Sequence, residues 1–299
     1  MSSTKFITCI YCNLYGTEYG GQDRSRIYRY KYSLLSLLKM SDADFVCYTS
    51  EEEIDFLKEF FYNEHNVSRD QLKLEIFNLK DIKFAPIINK EKDIEVVKKS
   101  LRCHEIQYSK FFWWWNEDKT YDYYYWIDAG LCSSVLLPDE YLIQEDNFSP
   151  DRKATKCDSD LYNNIFLDKL KKRSTDKFFM IAKENHKYRW SQTVPEKWYN
   201  SYDDSLHIIG GLFGGRVDLW DNTVKLFEDY LSKLLIAGAE NGGGKFDEEL
   251  IMSLMYFNHR DDFNIEEFDT WYHVDSYMHE KEYFEDKKSF YHIIIDLNN

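Results

Sequence analysis

The chain has 299 residues, 43% of them apolar and 18% aromatic, and carries a formal charge of −15. That is ample for a sizeable core in one large α/β domain or two small ones. The acidic balance argues against nucleic-acid binding through phosphate contacts and against docking on an anionic membrane, and its plain meaning is solubility. An anionic ligand would need a locally positive or backbone-lined pocket.

The start, "MSSTKFITCIYC", has no basic n-region followed by a long apolar run, so no signal peptide is expected. No stretch approaches the roughly 18 apolar residues of a membrane span. Cysteines at 9, 12, 47, 103, 132 and 157 are scattered, mostly within apolar runs. This usage suits reduced, buried thiols and a cytoplasmic protein. "CIYC" has redox spacing, but it lies within a strand-like run rather than at the start of a helix.

"KFITCIYCNLY" reads as a first buried strand, and the loop "GTEYGGQDRSR" follows it. "IYRYKYSLLSLLKM" has helical spacing, with apolar residues at 27, 30, 34, 35, 37 and 38. "ADFVCYTS" is a second strand. "SEEEIDFLKEFFYNEH" begins a helix with Ser50 as its N-cap and acids in the first turn. "LKLEIFNL" alternates as a third strand would. "EVVKKSLRCHEIQYSKFFWWW" predicts one long helix, and "YDYYYWIDAG" a fourth strand. The run "FFWWW" reads as core, because five consecutive residues cannot share one helix face.

Residues 139–177 are polar and aperiodic, and read as loop. "KFFMIA" and "LHIIGGLFGG" are further strands. "DNTVKLFEDYLSKLLIAG" is an amphipathic helix ending at Gly238, and "ENGGGKF" leads into a last helix, "DEELIMSLMYFNH". Strands alternating with helices from the outset predict an α/β fold, a mostly parallel sheet of Rossmann type flanked by helices. Four prolines and no linker point to a single domain over 1–299.

Three places carry chemistry. Asp128 ends the apolar run "YYYWI" where open parallel sheets gather ligands, beyond a strand's carboxyl end. A carboxylate there is too costly to bury unpaired, so it would hold a cation or a ligand hydroxyl. Ala129 and Gly130 keep the backbone close to whatever binds; the plain alternative is an Asp capping a turn. In "HIIGGLFGG", glycine pairs flank Leu212 and Phe213, so the chain can turn sharply and admit a ligand. A bulge or tight hairpin would use the same glycines, and the pattern is not a dinucleotide fingerprint. In "FDEEL", Asp247, Glu248 and Glu249 stand where a helix begins after a triple glycine. They either complement the helix dipole or deliver a carboxylate to a reacting sugar.

The three occur together, in this order, in one kind of enzyme. The chain resembles nucleotide-sugar-dependent glycosyltransferases of the GT-A fold over roughly residues 5 to 275. "WIDAG" is similar to the YibB/HtrL-like proteins. "GGLFGG" followed by "DE" is similar to the blood-group A/B and α-galactosyl transferases. The resemblance implies a nucleotide-binding part of about 1–135 and an acceptor part of about 136–299.

It also implies roles, residue by residue. Asp128 would face the metal and donor diphosphate, in the place of an Asp-x-Asp motif whose second acid is here Gly130. The cation would be Mn²⁺ or Mg²⁺, with His273 or His279 completing its shell. Cys12, Asn13 and Leu14, with Arg24 and Arg29, would hold the nucleotide, and Lys110 is a weaker choice of the same kind. Gly210, Gly211 and Phe213 would line the sugar and acceptor with His207 nearby. Glu248, beside Asp247, would act at the reacting carbon. The expected activity is transfer of a hexose from a UDP-sugar to a hydroxyl of a glycan or protein, leaning toward retention of configuration. The rival from another class is a non-catalytic nucleotide-sugar binder of the same fold, which the missing acid at Gly130 favours. A phosphatase or nucleotidyltransferase ranks below both, since no phosphate-cradling Gly-Lys motif or nucleophile elbow is visible.

Overall fold

A computed structural model describes residues 3–11, 30–35, 37–38, 41–81, 104–130, 165–184, 206–240 and 248–268. The fold is mixed α/β, as the alternation of elements predicts, with seven strands among the described residues in a mostly parallel sheet flanked by helices. The chain divides into two compact units that interleave along the sequence.

One unit comprises Lys5–Ile76, Ile127–Lys172 and Phe268–Asn299. Its strands are β1 (Thr4–Ile10), β2 (Asp44–Thr49) and β3 (Leu72–Ile76), in the order β3-β2-β1 and all parallel. β1 is buried on both faces, so its residues do not alternate between buried and exposed, and even Thr4, Lys5 and Thr8 are buried. Phe6 stacks on Phe45 of the neighbouring strand, and Thr49 Oγ1 donates to the Ile10 carbonyl at 2.8 Å. The expected helix after the first loop is present as α1, over residues 30–35 and 37–38. The helix after β2 begins later than expected. α2 runs over Ile54–Lys58 and continues as a π-helical turn, Glu59–Glu64. Ser50 does not cap it with its side chain: Ser50 Oγ donates to the buried Glu53 carboxylate at 3.0 Å. The Ser50 carbonyl instead takes the N–H groups of Glu53 and Ile54.

The other unit comprises Met1–Thr4, Phe77–Trp126 and Arg173–Glu267. It holds β4 (Tyr123–Ile127, to Trp126), β5 (Phe178–Glu184), β6 (Leu206–Arg216) and β7 (Phe263–Phe268), in the order β4-β6-β5-β7. Its helices include α3 (His104–Ser109). α4 (Ile165–Arg173), which belongs to the first unit as far as Lys172, lies in the stretch expected to be loop. α5 (Val217–Glu240) runs through Gly238 instead of stopping there, and α6 is Glu248–Asn258. No helix among the described residues is long and apolar enough to cross a membrane.

The single long helix expected up to Trp115 is not formed. α3 stops at Ser109, Lys110 and Phe111 make a turn, and Phe112–Asn116 is a 3-10 helix. The break has a packing reason. A straight α-helix would spread the run "FFWWW" around its axis. With the turn, Phe111 stacks between Phe213 (centroids 4.4 Å apart) and Phe227 (4.2 Å). Trp113 lies parallel to Trp126 at 5.4 Å, and Trp114 to Trp220 at 5.7 Å. Each such pair adds about 0.5–1.5 kcal/mol beyond its area. Four of the five rings are buried, and Trp115 is 38% exposed.

Candidate functional site

The glycine-rich stretch is not a sharp turn. "LHIIGGLFGGR" is one strand, β6, antiparallel to β5, and it carries a bulge. Met180 pairs with Phe213 and the next residue, Ile181, with Ile209. Gly210, Gly211 and Leu212 therefore have no counterpart on β5. Bulges free backbone groups from the ladder, and those groups must find partners elsewhere.

Gly210 finds them in charged side chains. Its carbonyl accepts from Lys110 Nζ at 2.9 Å, and its N–H donates to Glu249 Oε1 at 3.1 Å. Lys110 Nζ also lies 2.7 Å from Glu248 Oε1, and both side chains are almost wholly buried. Nearby, Ile208 N–H points at Ser253 Oγ, 3.4 Å away, and Ser253 Oγ donates to the Glu249 carbonyl. A Cβ on Gly210 would sit 2.7 Å from Glu248 Oε1 and 3.1 Å from its Cγ, so only glycine permits this approach. Phe111, the residue after Lys110, is locked into the aromatic stack, which fixes where the lysine stem begins.

Glu248 and Glu249 occupy the first turn of α6, where the helix dipole favours negative charge. The dipole does not explain why Glu248 is buried. A buried carboxylate must be paired and hydrogen-bonded to be tolerated, and Lys110 supplies that charge-assisted bond. The arrangement is thus a carboxylate, a compensating ammonium and a side-chain-free backbone bulge converging at one point.

The second glycine pair serves packing. Gly214 has φ +152°, and a Cβ there would run into the Tyr124 carbonyl and come within 2.7 Å of Tyr125 Cα. Phe213, carried over as a substrate-lining residue, is fully buried in the aromatic stack. Gly211 is buried in the bulge beside Gly210.

Asp128 follows β4 directly and is half-buried, with Ala129 buried and Gly130 half-buried in the turn after it. Gly130 has a steric cause. A Cβ at that position would lie 2.5 Å from Tyr30 Cε1 and 2.8 Å from Tyr30 Cδ1. The ring of Tyr30, on α1, occupies the space into which a second acid of an Asp-x-Asp motif would project.

Among the described residues, no group of three or more His, Cys, Asp or Glu side chains is placed to hold a metal ion. Asp128 offers one carboxylate. Mg²⁺-type cations are commonly held by one or two carboxylates together with substrate phosphates. Asp128 alone does not form a protein cage for a cation.

Lys110 was expected near a phosphate, and the structure pairs it with Glu248 and Gly210. Cys12, Asn13, Leu14, Arg24, Arg29, Asp247, His273 and His279 lie outside the described residues, as does the side chain of His207. The His207 backbone pairs with Lys183 in the β5–β6 ladder. One participant escaped the sequence reading: Tyr30 gives no local signal of its closeness to Gly130. Glu249, the third acid of "DEE", is named there at the helix start, and the structure adds that it holds the bulge N–H.

No family profile matches the chain, and no curated protein matches it either. Solved structures similar to it include three transferase or synthase folds. Mouse xyloside xylosyltransferase 1 in its apo form is 11% identical, with a TM-score of 0.47, covering 89% of this chain and 85% of that one. Core-mannan synthase A from Aspergillus fumigatus in its Mn/GDP form is 9% identical, with a TM-score of 0.43, covering 89% and 73%. The 4-diphosphocytidyl-2C-methyl-D-erythritol synthase from Anaerococcus prevotii is 12% identical, with a TM-score of 0.39, covering 99% and 95%. At such identities and scores, the chemistry of this chain has to be read from its own residues.

Proposed function

We propose that the chain is a nucleotide-sugar-dependent glycosyltransferase, moving a hexose from a UDP-sugar to a hydroxyl of a glycan or protein. The observation that carries this reading is the convergence of Glu248, Lys110 and the Gly210 bulge. A carboxylate paired with an ammonium beside a backbone without side chains suits stabilisation of positive charge on a sugar carbon. Glu248 takes that role, with Asp247 assigned to the same chemistry, and the Gly210–Gly211 backbone admits the sugar. Retention of configuration is the stereochemical outcome we favour.

Asp128, with Ala129 and Gly130, is assigned to the donor diphosphate. Mn²⁺ or Mg²⁺ bound with the donor would supply neutralisation of charge on the departing diphosphate. Asp128 and His273 are the residues that would hold it. Cys12 to Leu14, Arg24 and Arg29 are assigned to the nucleotide, and His207 to the sugar.

One observation favours a second reading, a nucleotide-sugar binder without turnover. The Tyr30 ring stands where a second metal-binding acid would project. A panel of UDP- and GDP-sugars, followed by thermal shift and by donor hydrolysis with and without Mn²⁺, separates the two. Stabilisation with hydrolysis supports the transferase, and stabilisation alone supports the binder. Under the first reading Glu248→Gln abolishes turnover while the donor still binds; an unchanged rate removes Glu248 from the chemistry. Asp128→Ala is expected to lose affinity for UDP with Mn²⁺, and intact affinity by calorimetry overturns the metal assignment.

A further inference from the structure

We infer that Lys110 is a positioning residue for Glu248 and for the β6 bulge, not a ligand of the nucleotide phosphates. The inference rests on the reading of Glu248 as the group at the reacting carbon, and it concerns how that carboxylate is held.

The Lys110 ammonium has three donor hydrogens. One direction is taken by Glu248 Oε1 at 2.7 Å and another by the Gly210 carbonyl at 2.9 Å. The Trp126 ring centroid lies 5.5 Å away, an apolar and weakly attractive wall of the same buried site. Both hydrogen-bonding partners are protein groups, and the Lys110 side chain is 7% exposed. Its stem leaves the turn between α3 and the 3-10 helix, directly before Phe111, which the aromatic stack holds in place. One cation thus joins three elements: the end of α3, the bulge of β6 and the first residue of α6.

The pairing has a specific consequence for geometry. Gly210 is grasped from both sides, by Lys110 at its carbonyl and by Glu249 at its N–H. Its Cα faces the Glu248 carboxylate too closely for any side chain. The position of the Glu248 oxygens relative to the bulge is therefore set by Lys110. Lys110, Glu248 and Glu249 all gather at this glycine.

Lysine and arginine differ here in shape but not in charge, so conservative replacement separates charge from simple filling of space. The test is amide hydrogen exchange, read by NMR on the full chain, of wild type, Lys110→Met and Lys110→Arg. Lys110→Met is expected to raise exchange at Gly210 and Gly211 about tenfold or more, as loss of a charge-assisted hydrogen bond implies. Amides at Phe179 and Met180 report global stability and should rise by no more than the loss that denaturation measures for the same variant, and Lys110→Arg should restore most of the bulge protection. Unchanged exchange at Gly210 and Gly211 in Lys110→Met overturns the inference. A uniform rise along β5 and β6 with no rescue by arginine also overturns it, since that marks a merely structural lysine.

Should Lys110→Met fail to fold, Lys110→Gln in the Glu248→Gln background keeps the question open to measurement. That neutral pair can share a hydrogen bond without the charge, and should leave Gly210 more protected than Lys110→Met/Glu248→Gln does; equal exchange in the two overturns the inference. Turnover is a separate arm. If a donor is hydrolysed, Lys110→Met should lower kcat with KM nearly unchanged, and a rise in KM alone would return Lys110 to the phosphates and overturn the inference. Failure of Glu248→Gln to alter turnover would sink the transferase role of Glu248 while leaving the exchange result standing.

Discussion

Gly210 and Glu248 approach so closely that a single added methyl would collide with the carboxylate, 2.7 Å from Oε1 and 3.2 Å from Cδ. The carboxylate cannot swing aside without leaving Lys110, since Oε1 is the atom in the ion pair. Gly210→Ala is therefore expected to lower stability by about 1–3 kcal/mol, the usual cost of overpacking a close-packed site. The urea midpoint measures it, and an unchanged midpoint would mean the bulge can move away from α6.

Breaking the buried pair from one side leaves a charge uncompensated. Lys110→Met should cost about 3–5 kcal/mol, whereas Lys110→Met with Glu248→Leu should cost clearly less than the two single changes summed. A double-mutant cycle by chemical denaturation gives the coupling. Additive losses would show that the two side chains do not interact in solution.

Tyr30 and Gly130 make a second pair of this kind. Gly130→Asp, which writes an Asp-x-Asp motif into the chain, should destabilise it by about 1–3 kcal/mol because the ring fills the space. Tyr30→Ala alone leaves a gap, but combined with Gly130→Asp it should recover part of the loss. Thermal melting of the four variants tests this, and the double variant also asks whether a second acid raises Mn²⁺ affinity in the presence of UDP.

Alkaline stability follows from buried acids that resist ionising. Burial pushes the hydroxyls of Tyr11 and Tyr125 and the thiol of Cys47 well above their usual ranges. For Tyr125 the Ser174 hydroxyl, 2.6 Å away, offsets the shift only partly. These groups keep their protons when folded and lose them when unfolded. Their contribution is whole below the unfolded pKa values and falls as the pH rises above about 9. Denaturation midpoints should stay level with respect to these three groups through neutrality and decline beyond that point. Cys47, fully buried, should also resist thiol reagents until the chain unfolds.

Much of the fold was legible because burial on both faces leaves a local trace. "KFITCI", "DFVCYT" and "YYYWI" are apolar runs bounded by polar residues, and each is a strand. α5 shows its buried face at Val224, Phe227, Leu231 and Leu234, spaced for a helix. α4 was missed because "IFLDKLKKR" is short and mostly charged, so its period is faint. The helix through "FFWWW" was overextended because helical preference cannot register Phe213, Phe227, Trp220 and Trp126, which pull successive rings in different directions.

The sequence by itself determined the alternation of strands and helices, the strand end at Asp128 and the three places where charge or glycine interrupts apolar chain. Local spacing and composition suffice for these, because each depends on residues near one another. Only the tertiary structure decided that Lys110 pairs with Glu248, that Gly210 is a bulge held by charge rather than a turn, and that Tyr30 excludes a side chain at Gly130. Those relations join residues far apart along the chain. They follow from packing in space, where a buried charge must find its counter-charge and a ring and a side chain cannot share one volume.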